Sequence, residues 1–151
     1  MLSIAEIAAR VKDVDASLVT GLDDDEIGQL RNSWNVQQLP VAYEEFLRLM
    51  GRGAGDILRG TDAFFPGILD MRGATDRFFA DNLGGMQLPI GALVFAMHQG
   101  YQVYWIESAD LPDPPVVLYM EEEPAPMASW RSFTEFLNAE YVTAYRSPSR
   151  S

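Results

Sequence analysis

The chain has no cysteine and a single histidine, His98, in 151 residues. The first absence excludes disulfides, thiolate nucleophiles and cysteine-ligated zinc or iron–sulfur clusters. The second excludes a multi-histidine metal centre and leaves only His98 as the base of any serine triad. No Gly-x-Ser-x-Gly elbow accompanies it. No run approaches the ~18 apolar residues of a membrane span. The opening Met-Leu-Ser-Ile-Ala-Glu puts Glu6 where a secretory leader would be apolar. The expectation is a soluble, cytoplasmic protein.

Positive charge is scarce in number and in placement. Eleven Lys and Arg stand against 22 Asp and Glu, for a net charge of −11. From Phe78 to Trp130 there is no Lys or Arg. The same stretch holds Asp81, Glu107, Asp110, Asp113, Glu121, Glu122 and Glu123, a charge of −7 with His98 neutral. Direct binding to nucleic acid or to an anionic membrane needs a basic footprint, which this stretch lacks. A basic polypeptide partner suits it, because opposite fields speed encounter. The same acids would also keep strand ends and edges soluble.

Hydrophobic residues make up 48% of the chain, ordinary for a folded protein and too much for a disordered one. One domain is expected over 1–146, with 147–151 a disordered tail. A chain of this size buries roughly 68–70% of its unfolded surface and needs no metal or disulfide staple.

The strongest pattern is Ala92–Ile106, where two runs rich in β-branched and aromatic residues flank Gln99-Gly100. That reads as a hairpin at the centre of a larger sheet. A two-residue loop sets His98 opposite Tyr101, Met97 opposite Gln102 and Ala96 opposite Val103. It also sets Phe95 opposite Tyr104, Val94 opposite Trp105 and Leu93 opposite Ile106. Both faces are then largely apolar, so other elements must cover both sides at least in part.

Apolar spacing predicts helices near 3–14, 23–34, 40–51 and 130–145. Asp23 and Glu26 have capping-box spacing, which explains the Asp23–Glu26 cluster without a metal. Pro40 fits the first position of the third helix and Gly51 its C-terminal cap. Gly51-Arg-Gly53-Ala-Gly55 lacks phosphate-loop spacing and reads as a cap and a turn. Short strands at Ile57-Leu58 and Ala63–Phe65, and a short helix within Gly73–Asn82 capped by Thr75, are the readings of a segment, 56–88, whose topology stays open. Val116–Met120 reads as a third strand, closed by Glu121–Glu123 and Pro124. The last helix starts near Ser129 or Ser132. Helices, then strands, then a helix indicate an α+β fold with a mainly antiparallel sheet.

The segment Leu39-Pro40-x-x-Tyr43-x-x-Phe46-Leu47, ending at Gly51 after an acidic helix, resembles the start of the SMI1/KNR4 (SUKH) superfamily. Phe95–Gln102 resembles its central strands. Pro115–Tyr119 and Ser132-Phe133-x-x-Phe136-Leu137 resemble its closing strand and final helix. The resemblance spans Asp23 to Leu137; the segment from Ile57 to Gln87 departs from it. It implies an α+β fold and a non-catalytic, protein-binding role with no cofactor. Many bacterial members are immunity proteins that neutralise toxins, often nucleases, in polymorphic toxin systems. Eukaryotic members resemble scaffolds or regulators of cell-wall synthesis.

Two roles therefore stand. One is an immunity protein that occludes a basic toxin domain, with Glu121, Glu122, Glu123, Asp110, Asp113 and Glu107 as steering and rim contacts. The other is a scaffold or regulatory module with a different protein partner. Tyr104, Trp105, Tyr119 and Trp130 are the candidate aromatic anchors; each is equally suited to the core, and Trp105 better suited to it. A small enzyme or ligand carrier would have to work at His98 and Tyr101; the turn beside them favours a structural histidine.

Overall fold

A computed structural model describes residues 1–146; the expected disordered tail lies outside the described residues. Helix α1 (Ile4–Val14) starts at Ser3, whose hydroxyl accepts from the Glu6 N–H while the Glu6 carboxylate accepts from the Ser3 N–H. Helix α2 (Asp24–Trp34) starts on the same device, built from Asp23 and Glu26. Such reciprocal caps satisfy two of the four N–H groups a helix start leaves free. Helix α3 (Val41–Met50) begins one residue later than expected, with Pro40 in the cap position. Gly51 closes it by donating to the Leu47 carbonyl. Helix α4 is Met71–Asp81, and α5 is Phe133–Tyr141, capped by Ser132 and continued by a π-helical turn at Val142–Arg146.

Among the described residues the strands form two antiparallel sheets, which with the helices make an α+β fold. A small ribbon pairs β1 (Val19–Thr20) with β2 (Gly53–Ala54). The main sheet is a meander in the order β3 (Leu93–His98), β4 (Gln102–Ile106), β5 (Val116–Met120), β6 (Ala128–Trp130). Gly53-Ala54, expected to be part of a cap and turn, are instead a strand, flanked by bonds from Arg52 N–H to the Thr20 carbonyl and from Gly55 N–H to the Leu18 carbonyl. No strand forms at Ile57-Leu58 or Ala63–Phe65; there, only Asp62 makes a single bridge, to Met97 on the outer edge of β3. Thr75 does not cap α4. It lies inside the helix, and its hydroxyl donates to the Met71 carbonyl at 2.7 Å.

The central hairpin keeps its predicted base and shifts in between. Leu93 pairs with Ile106 and Val94 with Trp105, but Ala96 pairs with Tyr104, Met97 with Val103 and His98 with Gln102. The sequence leaves the turn type open; in the structure Gln99 and Gly100 both take positive φ, 53° and 79°, as a type I′ turn requires, and Tyr101 N–H donates to the His98 carbonyl. Tyr101 is thus an extra residue on one strand, and a bulge at Phe95 takes up the offset on the other. The two irregularities cancel, so the faces at the hairpin base are those the sequence predicts.

Helices cover both sides of the sheet. Phe95 meets Tyr43 of α3 and Phe133 and Phe136 of α5, at ring distances of 5.6, 5.5 and 5.6 Å. On the other face, Trp105 and Tyr119 meet Phe79 of α4 at 6.2 and 6.4 Å. One cluster of buried hydrophobic residues, from Ile4 to Ala144, joins the layers.

The Tyr43 hydroxyl sits in this core with no hydrogen-bond partner among the described residues, and burial pushes its pKa far above the ordinary 10.0. A buried, unpaired hydroxyl carries an uncompensated desolvation penalty. Tyr43→Phe should therefore raise the unfolding free energy by about 1 kcal/mol. A urea midpoint that falls, at unchanged m-value, would show that the hydroxyl has a partner.

Candidate functional site

The register of β4 with β5 decides where the acidic residues go. Pairing runs from Gln102↔Met120 to Ile106↔Val116. Four residues of strand separate these ends, roughly 14 Å at ~3.4 Å per residue. The 107–115 connection, with Glu107, Asp110 and Asp113, leaves one end of the sheet. The 121–127 connection, with Glu121, Glu122 and Glu123, leaves the other, beside the hairpin turn. The six candidate residues are all exposed, but they form two separate groups of three rather than one rim.

The Glu121–Glu123 turn is held from beneath. Asn82, 1% exposed, donates through Nδ2 to the Met86 carbonyl at 2.6 Å and to the Tyr119 hydroxyl at 2.9 Å. Its Oδ1 accepts from the Glu122 N–H at 2.6 Å. The Tyr119 hydroxyl accepts from the Met86 N–H and donates to the Glu123 carbonyl at 2.7 Å. Glu122 is held in a left-handed conformation, φ 69°, which a non-glycine residue seldom adopts unaided. Gly85 is required in the loop below, because a Cβ there would stand 2.3 Å from the Tyr119 hydroxyl. Three carboxylates therefore project from a backbone fixed to α4 and β5.

The opposite group is less uniform. Asp113 Oδ1 accepts from the Thr134 N–H at 3.0 Å, so this carboxylate helps to cap α5. Glu107 N–H donates to the Pro115 carbonyl, and Asp110 N–H to the Ser108 hydroxyl, which leaves both side chains free of these backbone ties.

Charge balance differs between the two halves of the chain. In the helical half, Arg31 pairs with Glu44, Arg48 with Asp24 and Glu44, Arg52 with Glu26, and Arg59 with Asp56. Among the described residues, no acid between 78 and 130 makes an ion pair. The negative field of the strand-bearing half is uncompensated locally.

Of the four candidate aromatics, Trp105 is in the core as expected, 1% exposed, and Tyr119 is a core residue rather than an anchor, 0% exposed. Both face α4, which the alternation along β4 and β5 imposes. Tyr104 and Trp130 lie on the α5 face, 5.6 and 5.0 Å from the Phe136 ring. Cross-strand pairing puts Gln102, Leu118, Met120 and Ala128 on that face too. α5 buries its far half, including Ile106 and Val116, whereas these residues near the hairpin turn stay partly exposed. Met127 reaches over the same half, its sulfur 3.6 Å from Gln102 Nε2. The sequence flagged none of Leu118, Met120 and Met127; the signal was two methionines bracketing the acidic turn.

Glu140 of α5 adjoins this open half. Burial pushes its carboxyl above the ordinary 4.5, and the Tyr104 hydroxyl is pushed up by burial and by the Glu140 charge. No described residue pairs with the Glu140 carboxylate. The folded state thus holds this proton more tightly than the unfolded state. Its contribution to stability is present at low pH and lost as pH rises through the raised value. Glu140→Gln should melt at a higher temperature than the parent above that range, with the gap closing as pH falls toward ~4. A gap independent of pH would contradict this account.

His98 Nδ1 lies 3.2 Å from the Thr61 hydroxyl, and its ring packs edge-on against Tyr101. Among the described residues no cluster of His, Asp or Glu is placed to hold a metal ion, and no helix is long and apolar enough to cross a membrane. The family model described as SMI1 / KNR4 family (SUKH-1) matches residues 21–139. No curated protein matches the chain.

Proposed function

The chain belongs to the SMI1/KNR4 family (SUKH-1), and from that premise we propose that it is an immunity protein that neutralises a basic toxin domain, a nuclease, by binding it. The action is stoichiometric and without turnover. The observation that carries the reading is the uncompensated acidity of the strand-bearing half: its seven carboxylates find no cation among the described residues. A nuclease groove is basic because it must hold phosphates. An acidic protein competes for that surface and reaches it quickly.

Support for a fixed interface comes from the Asn82–Tyr119 network, which orders Glu121–Glu123 before any partner arrives and so reduces the entropy lost on docking. The test is co-expression of this chain with a nuclease toxin encoded beside it. Survival of a host that the toxin alone kills is expected. A host that dies at equal toxin levels, with this chain soluble and folded, would overturn the toxin reading and leave a scaffold role with another protein partner.

A further inference from the structure

We propose that the open half of the α5 face of the main sheet, together with the methionine-lined cleft beside it, is where the partner docks, and that it takes a basic amphipathic segment of the partner polypeptide. This rests on the protein-binding reading above and goes further in naming the surface and its occupant. The floor is apolar: Tyr104, Leu118 and Met120, with Met127, 51% exposed, folded over them. A cleft of about 370 Å³ lined by Met120, Glu123, Pro124, Ala125, Pro126 and Met127 joins this floor to the acidic turn. Methionine side chains are unbranched and adaptable, which suits a surface that remoulds around an inserted side chain.

The rim chooses the occupant. Glu140 makes no ion pair among the described residues and lies near enough to the floor for its charge to act on Tyr104, while Glu121–Glu123 leave the floor at its hairpin-turn end. β4 and β5, which form the floor, carry no Lys or Arg; Arg131 follows Trp130 at the far end of β6. A segment with leucine-like residues on one side and Lys or Arg on the other fills both needs: apolar contact with the floor and charge for the rim. A second copy of this chain would bring another −11 to the same place, so like-charge repulsion disfavours it.

The test uses the full chain with ¹³C-methyl methionine and two synthetic probes. One is an amphipathic Leu/Lys peptide of about 18 residues, five turns of helix. The other is a Gly/Ser/Lys peptide with the same number of lysines. The amphipathic peptide should shift the Met120 and Met127 methyl signals saturably, leaving the buried Met50 and Met71 in place. It should bind about tenfold more tightly than the polar peptide. Met127→Glu and Glu140→Lys should each weaken it severalfold, with the first, at an exposed position, leaving the melting temperature unchanged.

The site is overturned if neither peptide moves Met120 and Met127, if both peptides bind alike, or if the shifts centre on 107–113. It is overturned too if the methyl signals change with protein concentration alone, since the occupant is then a second copy. The co-expression assay separates the two proposals. Protection by the parent and undiminished protection by Met127→Glu would remove this surface and keep the inhibitor. Saturable binding at Met127 without protection would keep the surface and remove the toxin.

Discussion

Asn82→Ala should lower the unfolding free energy by roughly 3–4 kcal/mol, from the cost of stranding several buried polar groups at once. The amide of Asn82 serves three partners: the Met86 carbonyl, the Tyr119 hydroxyl and the Glu122 N–H. Alanine leaves the Glu122 N–H without its acceptor and the Met86 carbonyl without this donor, in a place where the residue itself is 1% exposed. The loss is local as well as global. The Glu122 amide should exchange with solvent much faster, because its left-handed conformation has lost the bond that holds it. Tyr119→Phe is the companion variant: it removes the bonds of its hydroxyl to the Glu123 carbonyl, the Met86 N–H and Asn82 Nδ2 but leaves that of Asn82 to Glu122, so it should also cost stability while leaving the Glu122 amide protected. Urea denaturation and amide exchange read both effects. A cost for Asn82→Ala below about 1 kcal/mol would mean that water replaces the amide, and that the acidic turn is not held by the core.

The second large effect is on association. Reversing Glu121, Glu122 and Glu123 to Lys changes the local charge by six units on a turn whose backbone is fixed. Association with a basic toxin domain should slow about 10–100-fold at low salt, with the difference shrinking as ionic strength rises. The same reversal at Glu107, Asp110 and Asp113 should slow it less, because that group lies at the opposite end of the sheet from the methionine cleft. Stopped-flow traces at several salt concentrations make the comparison. Equal slowing from both ends would mean that the whole field steers the encounter and neither turn is special.

Residue patterns carried the architecture where local rules act alone. Asp23-x-x-Glu26 has the spacing of the capping box that starts α2, and Ser3-x-x-Glu6 carries the same signature at the start of α1. Val116–Met120 is a short run of β-branched, aromatic and long apolar residues, as a largely buried strand should be; of the two expected starts of the last helix, Ser132 caps it and Ser129 lies in β6. What local rules do not reach is set by distant partners. The bulge at Phe95 offsets the extra residue at Tyr101, so a simple two-residue loop gave the right base and the wrong middle. Strand β6 has three residues, Ala128–Trp130, and exists through pairing with Val116–Leu118; no short stretch of sequence announces it.

The candidate site was legible as composition and illegible as geometry. A Lys- and Arg-free stretch from Phe78 to Trp130 is plain in the sequence. Its division between two ends of a sheet follows only once Gln102 is paired with Met120 and Ile106 with Val116. Tyr119 illustrates the difficulty. As an aromatic beside three glutamates it reads as an interface anchor, yet pairing turns it toward α4, where its hydroxyl fixes the loop instead.

Titration of a basic nuclease toxin domain with this chain tests the proposed inhibition most directly. A stoichiometric inhibitor predicts that cleavage falls in a straight line and stops at one equivalent, with a complex of matching composition. Residual cleavage at several equivalents, or loss of activity from a trace amount of this chain, would contradict it.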